Sequence, residues 1–178
     1  MYSQITANKR KTWFLILIFT FVIVGLGWVI GEYTGTGNAG LIVAVMIATL
    51  MNLIGWFHGD KVALATSGAK PIQKQDNPRL YRMVENLAIT AGMQTPKIYV
   101  ISDPAGNAFA TGRDPAHASI AVTTGLMDML DDQELQGVLS HELSHVKNYD
   151  IRVMTIVIVL VGVILVLIEA VLHRVGRV

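Results

Sequence analysis

Three stretches of the chain hold no charged residue, and they restrict its fold more than any other feature. Trp13 to Ile30 is eighteen residues without Asp, Glu, Lys or Arg, Leu41 to Phe57 is seventeen, and Val153 to Ile168 is sixteen. At about 1.5 Å per residue the first spans roughly 27 Å as a helix, close to the hydrocarbon thickness of a bilayer. Trp13 and Trp28 stand near its ends, where aromatic anchors sit at a membrane interface. Read as a signal peptide, it would take Lys9, Arg10 and Lys11 as the basic region. The block is long for that role, and it closes on Trp-Val-Ile-Gly-Glu instead of a small-residue cleavage site. A soluble core helix without a polar face would be unusual, so the second block also reads as a span. With the Gly- and Thr-rich loop 31–40 between them, the two form a helical hairpin. The third block, flanked by Arg152 and by His173, Arg174 and Arg177, reads as another span whose ends snorkel.

The basic cluster at 9–11 precedes the hairpin and Lys61 and Lys70 follow it, while the loop between holds no Lys or Arg. The positive-inside rule then turns both hairpin ends, and everything from His58 to about Asp150, to the cytoplasm. The expected organisation is a tail and membrane hairpin over 1–57, a cytoplasmic domain over 58–150, and a third membrane segment with the C-terminal end over 151–178. Net charge is +1, which gives no electrostatic case for nucleic acid. Without cysteine, disulfides and thiolate ligands are excluded, so a metal must be held by His, Asp, Glu or water.

Within 58–150 the patterning alternates between helix and strand. Asn77-Pro78 is an N-cap followed by proline at the first helical position, Leu80, Met83, Val84, Leu87 and Ala91 recur at helical spacing, and Gly92 is a stop. Lys97–Ile101, Asn107–Thr111 and Ala118–Thr123 are short strand candidates separated by Asp-Pro turns. Helical patterning resumes near Leu126. The fold class is therefore α+β and mainly helical, an integral membrane protein with its polar domain between the second and third apolar helices.

The segment that carries chemistry is His141-Glu142-Leu143-Ser144-His145. Asp131 or Asp132 can cap its helix, and Leu135, Leu139, Leu143 and Val146 fall on one stripe at about 100° per residue. His141 and His145 form a second stripe at the border of the buried one. Residues i and i+4 lie about 5–6 Å apart at Cβ, so two neutral imidazoles can reach one zinc ion. Glu142 projects roughly a quarter turn away, placed to act on a water at the metal as general base. Asp150 is a candidate for orienting a ligand imidazole, or else a charge at a helix end. His58 and His117 read as loop or interface histidines, and His173 as a boundary residue.

These residues resemble the HtpX-type heat-shock membrane zinc endopeptidases. The resemblance runs through Pro78-Arg79-Leu80-Tyr81, Asn107-Ala108-Phe109-Ala110-Thr111-Gly112, Ala121-Val122-Thr123-Thr124-Gly125-Leu126, the His-Glu-Leu-Ser-His segment, Asn148 and Asp150. It implies a zincin-like peptidase domain in a multi-pass membrane protein. Zn2+ would be held by His141 and His145, Glu142 would be catalytic, and the substrates would be misfolded or damaged membrane polypeptides. It also implies that the stretch matching Asn107–Gly112 is an edge strand beside the cleft, so Asn107, Ala108, Phe109 and Ala110 are the expected substrate-binding residues. Enzymes of this type supply a third zinc ligand, a glutamate, from a helix well after the third apolar block. Glu169 lacks the surrounding pattern for that role, so the chain reads as a fragment of a longer protease. The alternative is a catalytically incomplete module that binds or assembles in the membrane without cleaving.

Overall fold

A helical hairpin with a small mixed-sheet domain near its open end makes up the computed structural model, which describes residues 2–161. Glu169 and the C-terminal part of the third apolar block lie outside the described residues. The hairpin consists of α1 (Tyr2–Tyr33) and α2 (Asn38–Thr66), both long and apolar enough to cross a membrane. Each helix outruns its uncharged block, because Lys9, Arg10, Asp60 and Lys61 are compatible with helical backbone; hydropathy marks a change of solvent, not a helix end. His58 accordingly sits exposed on α2, not in a loop.

Small residues let the two helices approach closely. A Cβ added to Gly40 would lie 2.7 Å from Gly31 Cα, and one added to Gly27 would meet Ala44 Cβ at 2.0 Å. Backbones in van der Waals contact are the packing that helices use when no water drives them together. A polar tie crosses the pair, Asn52 Nδ2 donating to Thr20 Oγ1 at 2.9 Å. The outward faces stay apolar and bare, with Trp13 61% and Phe21 70% exposed.

The domain follows α2 as β1 (Lys70–Pro71), α3 (Pro78–Thr90), β2 (Lys97–Ile101), β3 (Ala108–Gly112), a 3-10 turn (Pro115–His117), β4 (Ala118–Thr123), α4 (Thr124–Met129) and α5 (Asp132–Lys147). A further helix, α6, begins at 150 and runs to 161. Sheet order is β1-β2-β4-β3, with β2 and β4 parallel and both outer strands antiparallel to their neighbours. The strand expected at Asn107–Thr111 thus lies one residue further on, and β1 is an element the pattern did not announce.

Both long domain helices have the ends that their sequences specify. Asn77 Oδ1 accepts the Leu80 N–H at 3.0 Å ahead of Pro78, and Gly92, at φ 69°, takes the left-handed conformation that ends α3. Of the two candidate caps for α5, Asp131 is the one used. It closes a capping box with Glu134, accepting from Gln133 and Glu134 N–H at 2.8 Å each. Leu80 and Val84 of α3, Ile98, Ile120 and Val122 of the sheet, and Leu135, Leu139 and Leu143 of α5 form one buried core. At about 1.5–3 kcal/mol per fully buried aliphatic side chain, this core holds α5 in its rotational setting. The opposite edge of α5 therefore has to face outward. α6 turns back onto the hairpin, where Ile156 and Leu160 join Phe19, Ile23, Ala44 and Ala48.

Candidate metal centre

With Leu135, Leu139, Leu143 and Val146 buried, helical geometry brings His141 and His145 to the rim of the core one turn apart. Their rings meet edge-on with centroids 4.7 Å apart, and the two Nε2 atoms are separated by 3.1 Å. Glu142 is half-buried on the adjoining face of the same helix.

The other nitrogen of His145 is fixed from the start of α6. Its Nδ1 lies 2.9 Å from Asp150 Oδ2, an acceptor that keeps the ring proton on Nδ1. The Nε2 lone pair is then aimed at the gap shared with His141. Asp150 reaches this position because the chain reverses over Asn148 and Tyr149, with Tyr149 at φ 63°, a left-handed setting that non-glycine residues seldom adopt. The second oxygen of Asp150 is occupied too. Asn8, on α1, hydrogen-bonds Oδ1 through Nδ2, which also donates to the Asn148 carbonyl at 3.0 Å. A residue of the first helix, 142 positions away in sequence, therefore steadies the carboxylate that steadies His145. Sequence reasoning missed Asn8. The basic residues at 9–11 beside it read as a topology signal, and one asparagine carries no pattern of its own.

A tetrahedral zinc about 2.0–2.1 Å from two imidazole nitrogens needs them roughly 3.3 Å apart. The observed 3.1 Å is close to that, and the carboxylate on the far nitrogen is the usual partner of a metal-binding histidine. The residues present fit zinc. They supply two corners of a tetrahedron, and no third His, Asp or Glu joins them among the described residues.

The stretch Asn107–Gly112 flanks α5 as the free edge of the sheet. Thr123 N–H donates to the Asn107 carbonyl at 2.9 Å. By the alternation of an antiparallel ladder, 109 and 111 then turn their backbone groups towards β4, and 108, 110 and 112 turn theirs outward. Gly112 N–H accordingly points away from the sheet and donates to Thr155 Oγ1 of α6 at 3.1 Å. The backbone groups of Ala108 and Ala110 remain at the open edge. The neighbouring motif locks this edge in register. Thr123 Oγ1 donates to the Asn107 carbonyl at 3.0 Å and accepts the Asn107 N–H at 2.8 Å, while also capping α4. Gly112 sits at φ 138°, where a Cβ would meet the His117 carbonyl at 2.4 Å.

His58 and His117 stand apart from the pair. His117 Nδ1 is 2.7 Å from Asp114 Oδ1, which also accepts the His117 N–H at 3.0 Å. Burial pushes the Asp114 carboxyl up, but the His117 hydrogen bonds and the charges of His117 and Arg113 together outweigh it and hold the group below its ordinary value.

Residues 74–177 match the model of peptidase family M48. A protease HtpX homolog of Tropheryma whipplei is 45% identical over 164 residues, covering 92% of this chain and 56% of the relative. One from Dictyoglomus thermophilum is 43% identical over 166 residues, covering 93% and 55%, and one from Lactobacillus helveticus is 44% identical over 168 residues, covering 92% and 55%. The chain spans about half the length of the curated relatives it matches.

Proposed function

Because the chain belongs to peptidase family M48, we propose that it is part of a membrane-embedded zinc endopeptidase that hydrolyses misfolded or damaged membrane polypeptides at the cytoplasmic face. The observation that carries this reading is the pair of Nε2 atoms 3.1 Å apart with Asp150 held on the far side of His145. His141 and His145 would hold the metal, and zinc, when bound, polarises a carbonyl and acidifies water. Glu142 is the general base, taking a proton from water and handing it to the leaving amine. Ala108 and Ala110 offer backbone donors and acceptors to a substrate in extended form, and Asn107 and Phe109 flank them. The bare apolar faces of α1 and α2 support membrane insertion, since a water-exposed surface of that size and composition would associate.

The test is Glu142→Gln in the zinc-loaded protein. Cleavage of an unfolded polypeptide should fall by at least about 100-fold while zinc content holds, as expected when a general base alone is removed. Unchanged cleavage would refute the assignment. The alternative, a non-catalytic membrane module, is supported by the two-histidine ligand set among the described residues. It predicts polypeptide binding that a chelator leaves untouched and no cleavage in either form.

A further inference from the structure

Away from the histidine pair, a cavity of about 350 Å³ opens where α2 and α6 meet the domain. Its lining holds apolar side chains: Trp56 and Phe57, which close the second uncharged block, and Ile156 of the third. The lining also holds the basic side chains Lys61, Lys97 and Arg152. Two further basic side chains on the lining, Arg113 and His117, both contact Asp114, at 3.5 Å and 2.7 Å. Lys61, Lys97 and Arg152 make no ion pair among the described residues, and the lining holds one carboxylate, Asp60. Three cations therefore face one anion in a confined space. The surplus suits a group of charge −1 to −2.

Arg152 is held ready for such a group. Its Nε donates to the Arg113 carbonyl at 2.6 Å, and its guanidinium lies 5.0 Å from the Trp56 ring and 5.2 Å from the Tyr149 ring. A guanidinium fixed at one edge and stacked on aromatic faces loses little freedom when it takes an oxyanion. The apolar lining residues belong to the uncharged blocks of α2 and α6, so hydrocarbon-like and cationic side chains share one cavity. That is the profile of a phosphate-bearing amphiphile.

The geometry points to this cavity as a binding site for the phosphate of an anionic lipid headgroup, with the acyl chains along α2 and α6. The assignment rests on the membrane-embedded reading above, which alkaline carbonate extraction of membranes tests separately; release of the protein there refutes that reading whatever the lipid result. The site itself is tested by thermal unfolding of the detergent-purified protein during titration with short-chain phosphatidylglycerol, short-chain phosphatidylcholine or inorganic phosphate. Phosphatidylglycerol should raise the Tm at concentrations at least about tenfold below phosphatidylcholine. In the variant Lys61→Gln with Lys97→Gln, two exposed and unpaired positions, the half-maximal concentration should rise about twenty-five-fold, from roughly fivefold per lysine. Basal Tm and zinc content should stay as they are. Arg152→Lys should abolish the shift and also lower the basal Tm, since it loses the Arg113 carbonyl. Equal shifts with both lipids, or a phosphatidylglycerol shift that survives the double lysine variant, would overturn the site. A shift of the same size and lysine dependence with inorganic phosphate alone would overturn the lipid assignment in favour of a soluble phosphate.

Discussion

Replacing Asp150 with asparagine keeps its shape but halves its accepting capacity. The carboxylate serves two donors, His145 Nδ1 on one oxygen and Asn8 Nδ2 on the other. An amide has one oxygen, so in Asp150→Asn one of these donors must face an N–H. If that donor is His145, its proton is driven to Nε2 and the lone pair on the metal side is lost. If it is Asn8, the side chain loses its anchor on α1. Removing the outer partner of a metal-binding histidine typically weakens metal binding 10–100-fold, about 1.4–2.7 kcal/mol. His145 and Asp150 are 40% and 33% exposed in their side chains, so water relieves part of the mismatch. The expectation is therefore the lower end, about tenfold. Asn8→Ala leaves both carboxylate oxygens in place and removes the Nδ2 bonds to Asp150 and to the Asn148 carbonyl that orient them, so its effect should be smaller, about threefold. Zinc competition against a chromophoric chelator, on the protein in detergent, reads the series directly. The order should run wild type, Asn8→Ala, Asp150→Asn, His145→Ala, from tightest to weakest. Asp150→Asn within twofold of wild type, with His145→Ala strongly impaired, would refute an orienting role for Asp150. Asn8→Ala weaker than Asp150→Asn would refute the order of the chain.

Two further outcomes follow from the domain. Asp131→Ala removes the side-chain half of the α5 capping box, the bonds accepted from Gln133 and Glu134 N–H, and should destabilise the protein by about 1–2 kcal/mol in denaturant unfolding, whereas neighbouring Asp132→Ala, which loses only an exposed pair with Arg79, should cost under about 1 kcal/mol. Asp114 has its carboxyl held below its ordinary value. Its stabilisation is thus present above the unfolded-state pKa of about 3.9 and is lost as pH falls through the lower folded value. The Tm gap between wild type and Asp114→Asn should accordingly shrink as pH falls below about 4.

The α5 motif was legible because several signals coincide on one helix: the cap at Asp131, the apolar stripe through Leu135, Leu139 and Leu143, and two histidines at i and i+4. β2 and β4 were legible for a related reason, since both are short apolar runs bounded by turns. β3 was found one residue early. Asn107 makes ladder-type bonds through Thr123 without being part of the regular strand, so its pattern resembles that of a strand residue. β1 is two residues with a proline, held at the edge by pairing of Lys70 with Val100 and of Pro71 with Tyr99, and a tertiary pairing so short leaves no periodicity. The end of α2 at Thr66 was hidden because charge marks the solvent boundary at Asp60 and the helix does not stop there. The left-handed turn fell on Tyr149, where composition would have suggested Asn148 or a glycine. The Asn8–Asp150 contact joins the two ends of the described chain, and no local pattern encodes such a meeting.

The reversal at Asn148 and Tyr149 is also a statement about reach. Lys147 ends α5 and α6 is already helical at 150, so three Cα steps, at most about 11 Å of chain, separate the histidine helix from a helix packed on the hairpin. A domain on a flexible tether samples a volume that grows with tether length; here there is no tether. For an enzyme of the kind proposed, the height of the two histidines above the bilayer is thereby a constant of the fold. A target bond must be delivered to that height, and an extended polypeptide rises only about 3.3 Å per residue. The quantity being selected is then the length of chain a substrate has let slip from the membrane, and a well-packed membrane protein lets slip almost none.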